Sequence, residues 1–125
     1  MNTPNSAVSP IKTTTSSTIT YADFAKLDLR VGLVKEASLP DWSEKLIELK
    51  VDFGEELGER KILAGLRKWY QPQDFENHCF IFVVNMAERK MGPAISQGMI
   101  LAADTSNQPF KLQLADDLPI GAKVC

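Results

Sequence analysis

Ile47-Glu48-Leu49-Lys50-Val51-Asp52-Phe53 is the stretch that decides the fold class. Apolar residues take every second position, and Glu48, Lys50 and Asp52 fill the gaps. Successive side chains of a strand point to opposite faces, so this period of two makes a strand with one face buried and one in water. Toward the N-terminus, Leu29, Val31 and Leu33 alternate with Arg30 and Gly32 in a strand running to about Ala37. Gly32 inside it suggests a bulge or a sharp bend. Pro40-Asp41-Trp42-Ser43 is a turn between the two. Toward the C-terminus, Gly54 to Gly58 form an acidic turn and a strand resumes over about Arg60 to Ala64. Gly65 to Tyr70 fits a short helix, and Pro72 suits the first position of a second one. Cys79-Phe80-Ile81-Phe82-Val83-Val84 is continuous and rich in strand formers, which predicts a central strand buried on both faces. Met86 to Ile95, with Gly92-Pro93, reads as a loop. Gly98 to Ala103 is a further strand, and Phe110, Leu112 and Leu114 alternate in another. Pro119-Ile120-Gly121 turns into a last short strand near Val124.

Six or seven short strands with a small helical insert after the third point to an all-β fold. A five-stranded OB-fold barrel, with its helix between strands three and four, fits this order. The chain of 125 residues, 44% of them hydrophobic, supplies one core. Residues 1–18 are rich in Ser, Thr, Pro and Asn and are expected to be a disordered tail before a domain over 19–125. Thr20-Tyr21-Ala22-Asp23 has the form of a capping box, with a helical turn or two following to Lys26.

The longest apolar run, Cys79–Val84, is far short of the roughly 20 residues of a membrane span. The first 20 residues hold one cation, Lys12, and no apolar core of a secretory signal, so the cytoplasm is the default expectation. The two cysteines make no disulfide framework; Cys79 reads as a small buried hydrophobe and Cys125 as exposed. Catalytic constellations are missing from the pattern. The single histidine, His78, lies at a strand edge, and no nucleophile elbow or glycine-rich phosphate loop occurs. His78 and Cys79 are adjacent, hence on opposite strand faces, so the usual zinc ligand sets are not assembled. The expectation is a binding module: no enzyme, no cofactor, no metal.

Net charge is −2, which by itself disfavours a generic nucleic-acid binder. The average hides a division. Residues 36–59 carry a balance of −6, whereas residues 60–90 carry +3, so one basic face is available. Three places combine cations or planar groups in the way looped nucleic acid requires. Arg67-Lys68-Trp69-Tyr70 interleaves cations with aromatics, although Tyr70 reads better as core. Arg89-Lys90 lies in a loop and suits phosphate contact and simple solvation equally. Trp42 sits in a polar turn near Lys45, where a stacking or partner contact explains it better than burial.

Tyr21-Ala22-Asp23-Phe24-Ala25-Lys26-Leu27-Asp28-Leu29-Arg30-Val31-Gly32 resembles the opening of the tRNA-binding domain family. That family includes C-terminal domains of methionyl-tRNA synthetases, free-standing tRNA-binding proteins, EMAP II-type cytokine domains and CsaA-type chaperones. Lys45-Leu46 with Leu49-Lys50-Val51-Asp52 is similar to its second strand, and Ile62-Leu63-Ala64-Gly65-Leu66 with Trp69-Tyr70 and Pro72 to its third strand and insert. Val84-Asn85, Lys90 and Ser96-Gln97-Gly98-Met99-Ile100-Leu101-Ala102-Ala103 complete the match over about residues 20–125. The resemblance implies an OB fold, structure-specific tRNA binding without catalysis, and a homodimer joined through the C-terminal segment and part of the N-terminal region. An aminoacyl-tRNA synthetase is an implied partner in trans. Carried over residue by residue, the tRNA surface comprises Lys45, Asn85, Lys90, Ser96, Met99 and Arg30, with Arg89 and Trp42 added from the residues themselves. Lys45 and Lys90 would neutralise phosphates, Asn85 and Ser96 would bond sugar or phosphate, and Met99 would make an apolar contact. Ser96 also suits a loop tether, and Met99 a rim position of the core. The chain departs from the family at Trp42-Ser43-Glu44, at Ala87-Glu88 and at Pro93. The alternative implied by the CsaA branch is a chaperone for unfolded or export-destined polypeptides.

Overall fold

The structure, a computed structural model, describes residues 17–125. Most of the expected N-terminal tail, residues 1–16, lies outside the described residues. Helix α1 (Tyr21–Ala25) starts on the expected capping box. The Thr20 hydroxyl accepts from the Asp23 amide at 3.1 Å, and the Asp23 carboxylate accepts from the Thr20 amide at 3.2 Å.

Ten strands follow: β1 (Leu29–Ser38), β2 (Ile47–Asp52), β3 (Glu59–Ala64), β4 (Cys79–Val83), β5 (Arg89–Met91), β6 (Ala94–Ser96), β7 (Met99–Ile100), β8 (Ala102–Asp104), β9 (Pro109–Lys111) and β10 (Lys123–Val124). The main sheet runs β3-β2-β1-β4-β7, with β10 also on β1. All of its pairings are antiparallel. Long β1 belongs to both halves of the barrel. Its first half, Leu29 to Leu33, pairs with β4, and its second half, Leu33 to Ser38, with β2. The register against β2 shifts between Val34 and Glu36, so Lys35 is the extra residue that bends the strand between the halves.

That places the bulge beyond Gly32, where the sequence suggested it, and Gly32 has another task. A Cβ there would stand 2.5 Å from Val51 Cγ1, 2.7 Å from Phe53 Cε1 and 2.9 Å from Phe82 Cδ1. The missing side chain lets β1 lie directly on the edge-to-face pair of Phe53 and Phe82, whose ring centroids are 5.3 Å apart. The quoted alternation holds throughout: Ile47, Leu49, Val51 and Phe53 are all buried. Phe75, Phe80, Phe82, Ile62 and Val34 complete the fully buried set. The continuous run at β4 is buried at four of its five positions, as expected of a strand covered on both faces.

Other segments differ from expectation. Residues 65–69 form hydrogen-bonded turns and not a helix. Unlike α1, the segment has its Arg67 amide and guanidinium bonded across to the 40–45 loop, at the carbonyls of Lys45, Pro40 and Ser43, and not along a helix. The second expected helix is a single 3-10 turn, Pro72–Asp74, with Pro72 at its start. The expected loop over 86–95 is a β-hairpin, β5–β6, turning at Gly92 with φ 58°. The strand expected over 98–103 is split: Leu101 donates to the Ile81 carbonyl at 3.0 Å, after which β8 leaves β4 and pairs with β9. The alternation at Phe110 and Leu112 buries neither residue, and both face solvent.

The barrel closes where β3 meets residues 96–97, through side chains as much as backbone. The Leu63 amide donates to Ser96 Oγ at 3.0 Å, and that hydroxyl donates to the Gly98 carbonyl at 3.0 Å. The Gln97 amide donates to the Lys61 carbonyl at 2.8 Å, while the Lys61 amide donates to Gln97 Oε1 at 3.0 Å. Arg60 Nη1 adds bonds to the carbonyls of Val84 and Gln97. The OB-fold barrel expected from the strand order is therefore observed. Ser96→Ala strands the buried Leu63 amide, and a lost buried partner costs about 1–3 kcal/mol. Urea unfolding should show a lower midpoint at unchanged slope, with Ser96→Thr retaining more of the stability.

Candidate nucleic-acid interface

Two loops that meet in the fold carry four of the eight sequence-predicted contact residues. The first joins β1 to β2 and holds Trp42 and Lys45; the second is the β5–β6 hairpin with Arg89 and Lys90. The structure brings them together. A Cβ on Gly92 would lie 2.6 Å from Cζ3 and 2.7 Å from Cε3 of Trp42, so the indole sits directly on the bare hairpin turn. Any larger residue at position 92 would push the loops apart. The Ser43 hydroxyl accepts from the amides of Lys45 and Leu46 at 3.2 Å each, which shapes the first loop. Arg67 clamps it from below, donating to the carbonyls of Pro40 (2.8 Å) and Ser43. Lys45, Arg89 and Lys90 are exposed and make no ion pair among the described residues.

Met99 is exposed near the hairpin base and shares a small cleft of about 90 Å³ with Met86, Arg89, Met91 and Ser96. The remaining predicted residues are occupied by the fold. Ser96 is only 2% exposed, and its hydroxyl is used in the barrel seam. Asn85 is at the surface, but its Oδ1 accepts from the Asp28 amide at 2.9 Å and its Nδ2 donates to the Lys26 carbonyl at 2.6 Å. It therefore pins the end of α1 to the end of β4. The Arg30 side chain, 13% exposed, bonds Asp28 at 2.7 Å and Glu56 at 3.1 Å and reaches the Gly121 carbonyl. Those carboxylates, Asp28 foremost, raise the guanidinium above its ordinary range. Other cations are also tied up: Lys35 pairs with Glu59 at 2.6 Å and Lys61 with Glu48 at 3.8 Å. The Lys35 ammonium pulls the Glu59 carboxyl down. Lys45, Arg89 and Lys90 are thus cations of the two loops left without a carboxylate partner among the described residues, although the exposed Asp41 and Glu44 share the first loop with Lys45.

The family model described as "Putative tRNA binding domain" matches residues 29–123. The chain belongs to the tRNA-binding domain family. Methionine–tRNA ligase of Pyrococcus horikoshii is 41% identical over 106 residues, covering 85% of this chain and 14% of the ligase. The ligase of Chromobacterium violaceum is 43% identical over 113 residues, covering 87% of this chain and 16% of the ligase. The chain thus spans a small fraction of the length of the curated relatives it matches. Among solved structures, a MetRS related protein from Pyrococcus horikoshii superposes with a TM-score of 0.83 at 36% identity, covering 88% of this chain and all of that one. The chaperone CsaA from Bacillus anthracis superposes with a TM-score of 0.77 at 30% identity, covering 87% of this chain and all of that one.

Within this tRNA-binding domain, the interleaved segment 67–70 divides into separate tasks. Arg67 is a loop clamp, and Tyr70 packs on Phe75 with ring centroids 5.5 Å apart, so Tyr70 is core as expected. Lys68 and Trp69 remain outside, with the ammonium 5.4 Å from the indole centroid. Gln97 had no signal in the sequence, since nothing in a polar residue before a glycine announces a barrel seam. No helix of the described residues is long and apolar enough to cross a membrane. No group of three or more potential metal ligands occurs among them either.

Proposed function

We propose that the domain grips tRNA through the rim formed by the 39–46 loop and the β5–β6 hairpin, and performs no chemistry of its own. The seating of Trp42 on Gly92 carries this reading, because it holds the loop that carries Lys45 against the hairpin that carries Arg89 and Lys90. OB folds bind nucleic acid with loops in these positions. Lys45, Arg89 and Lys90 contact phosphates, Trp42 and Met99 offer planar and apolar surface, and Asn85, Ser96 and Arg30 hold the framework. The test is tRNA affinity against salt: binding should weaken steeply as salt rises, as it does when phosphates are neutralised. Salt-independent binding would count against the rim.

The domain acts in trans beside a synthetase in the cytoplasm, a reading supported by its likeness to methionine–tRNA ligases and to the MetRS related protein. It works as a homodimer. Support comes from exposed Phe110, Leu112, Leu118 and Ile120 in the C-terminal segment and exposed Tyr21, Phe24 and Leu27 in the N-terminal one. The Leu29–Val124 pairing sets these two ends side by side. Light scattering should return about twice the 13.9 kDa chain mass, and Phe110→Glu with Leu112→Glu should return the monomer. A second reading is a polypeptide chaperone, favoured by the likeness to CsaA and by exposed Met86, Ile95 and Met99 near the same rim. Suppression of client aggregation, with no tRNA binding at low salt, would select it.

A further inference from the structure

A groove of about 550 Å³ runs beside the proposed rim, between the end of the 39–46 loop and the 65–69 turn. Its lining is mainly apolar, from Leu46, Gly65 and Trp69, with Lys45, Lys68 and Glu44 at its edges. Trp69 is 36% exposed, and the Lys68 ammonium, 5.4 Å from the centroid, rests over its ring. The walls are fixed. The Arg67 amide donates to the Lys45 carbonyl at 3.3 Å, and the Arg67 guanidinium bridges to Pro40 and Ser43, so the turn and the loop move as one. The floor is open by construction, because a Cβ on Gly65 would meet nothing within 4 Å.

We infer that this groove receives one unstacked base of the bound tRNA, which stacks on Trp69 while Lys45 and Lys68 take the flanking phosphates. The inference deepens the tRNA reading and rests on it. Aromatic side chains hold splayed bases in single-stranded or looped RNA, whereas a paired base cannot enter such a groove. The cations decide the occupant: an apolar floor with lysines at its edges suits a flat base carrying phosphates on either side. In the free protein Lys68 rests over the indole, a cation–π contact of modest strength at an exposed site. Binding moves the ammonium to phosphate and frees the ring face. Lys45 belongs both to the rim and to the groove, so phosphates tracked by Arg89 and Lys90 lead toward Trp69.

The test uses the full chain with tRNA and with a blunt RNA duplex that has no unpaired bases, each titrated at several salt concentrations. Trp69→Ala should weaken tRNA binding about tenfold, within the range for one stacked base. It should leave the salt slope and the duplex affinity unchanged, and Trp69→Phe should restore most of the loss. Gly65→Leu, at an open position whose backbone lies outside the left-handed region, should fill the groove and reproduce the tRNA defect at wild-type thermal stability. If both variants bind tRNA as tightly as the wild type with the same salt slope, the groove inference is overturned and the tRNA reading stands. If the wild type shows no salt-dependent tRNA binding, the underlying reading fails and the inference fails with it. Quenching of Trp69 by an unfolded apolar polypeptide, with no response to tRNA, would assign the groove to protein and overturn the inference.

Discussion

Phe82→Ala should lower the unfolding free energy by about 3–5 kcal/mol, the usual cost of truncating a fully enclosed aromatic residue. Phe82 has no exposed surface. It lies on β4 opposite Arg30 in register and packs edge-on against Phe53 at 87° between ring planes. The void cannot close easily. Gly32 already brings the β1 backbone against these rings, so the strand has no side chain with which to fill the space. The residues around the gap lie on β1, on β4 and at the end of β2, and β2 and β4 are each laddered to β1. Collapse would require breaking those ladders. Domains of this size have only about 5–15 kcal/mol in total, so the variant should sit near its unfolding threshold at 37 °C. Calorimetry or urea unfolding checks this. A loss under about 1 kcal/mol would mean that the site relaxes freely, against the close-packed core described here.

The double charge reversal Arg89→Glu with Lys90→Glu should weaken tRNA binding about a hundredfold at 50 mM salt while leaving stability unchanged. Both side chains are exposed on β5 and make no ion pair among the described residues, so the fold loses nothing when they change. Each phosphate contact contributes a slope of about −0.9 in log affinity against log salt, so losing two contacts should flatten the slope by about 1.8. The two binding curves should therefore converge as salt rises. A uniform loss at all salt concentrations would point to a disrupted hairpin and not to lost phosphate contacts. Parallel measurement on Arg60→Ala separates the two, because Arg60 bonds the Val84 and Gln97 carbonyls at the barrel seam. It should cost stability and leave the salt slope unchanged.

The acid limb of stability has one identifiable contributor. The Lys35 ammonium, hydrogen-bonded at 2.6 Å, holds the Glu59 carboxyl below its ordinary range. A carboxyl depressed in the folded state stabilises fully above its unfolded pKa, and the contribution is lost as pH falls through the folded value. Both partners are well exposed, so this is a small modulation beside the core.

Local pattern determined a great deal of this protein. The period of two over 47–53, the capping box at Thr20, the proline at the head of the 72–74 turn and the apolar run of β4 each depend on neighbours along the chain, and each is legible there. The same holds for the burial of Cys79 and for the packing of half-buried Tyr70 against the core. What the tertiary structure alone decided is which polar residues are free. Arg30, Asn85 and Ser96 look as available in the sequence as Lys45, Lys90 and Met99. Apart from Asp28, which holds Arg30 from two residues away, their partners stand far along the chain: Glu56 and Gly121 for Arg30, Lys26 and Asp28 for Asn85, Leu63 for Ser96. Closing a barrel joins residues that no local period connects, and it leaves buried or half-buried polar groups that must be satisfied from within. The contact between Trp42 and Gly92 is of the same kind. An indole in one loop and a glycine 50 positions away define the candidate surface only once the sheet has curled round to bring their loops together.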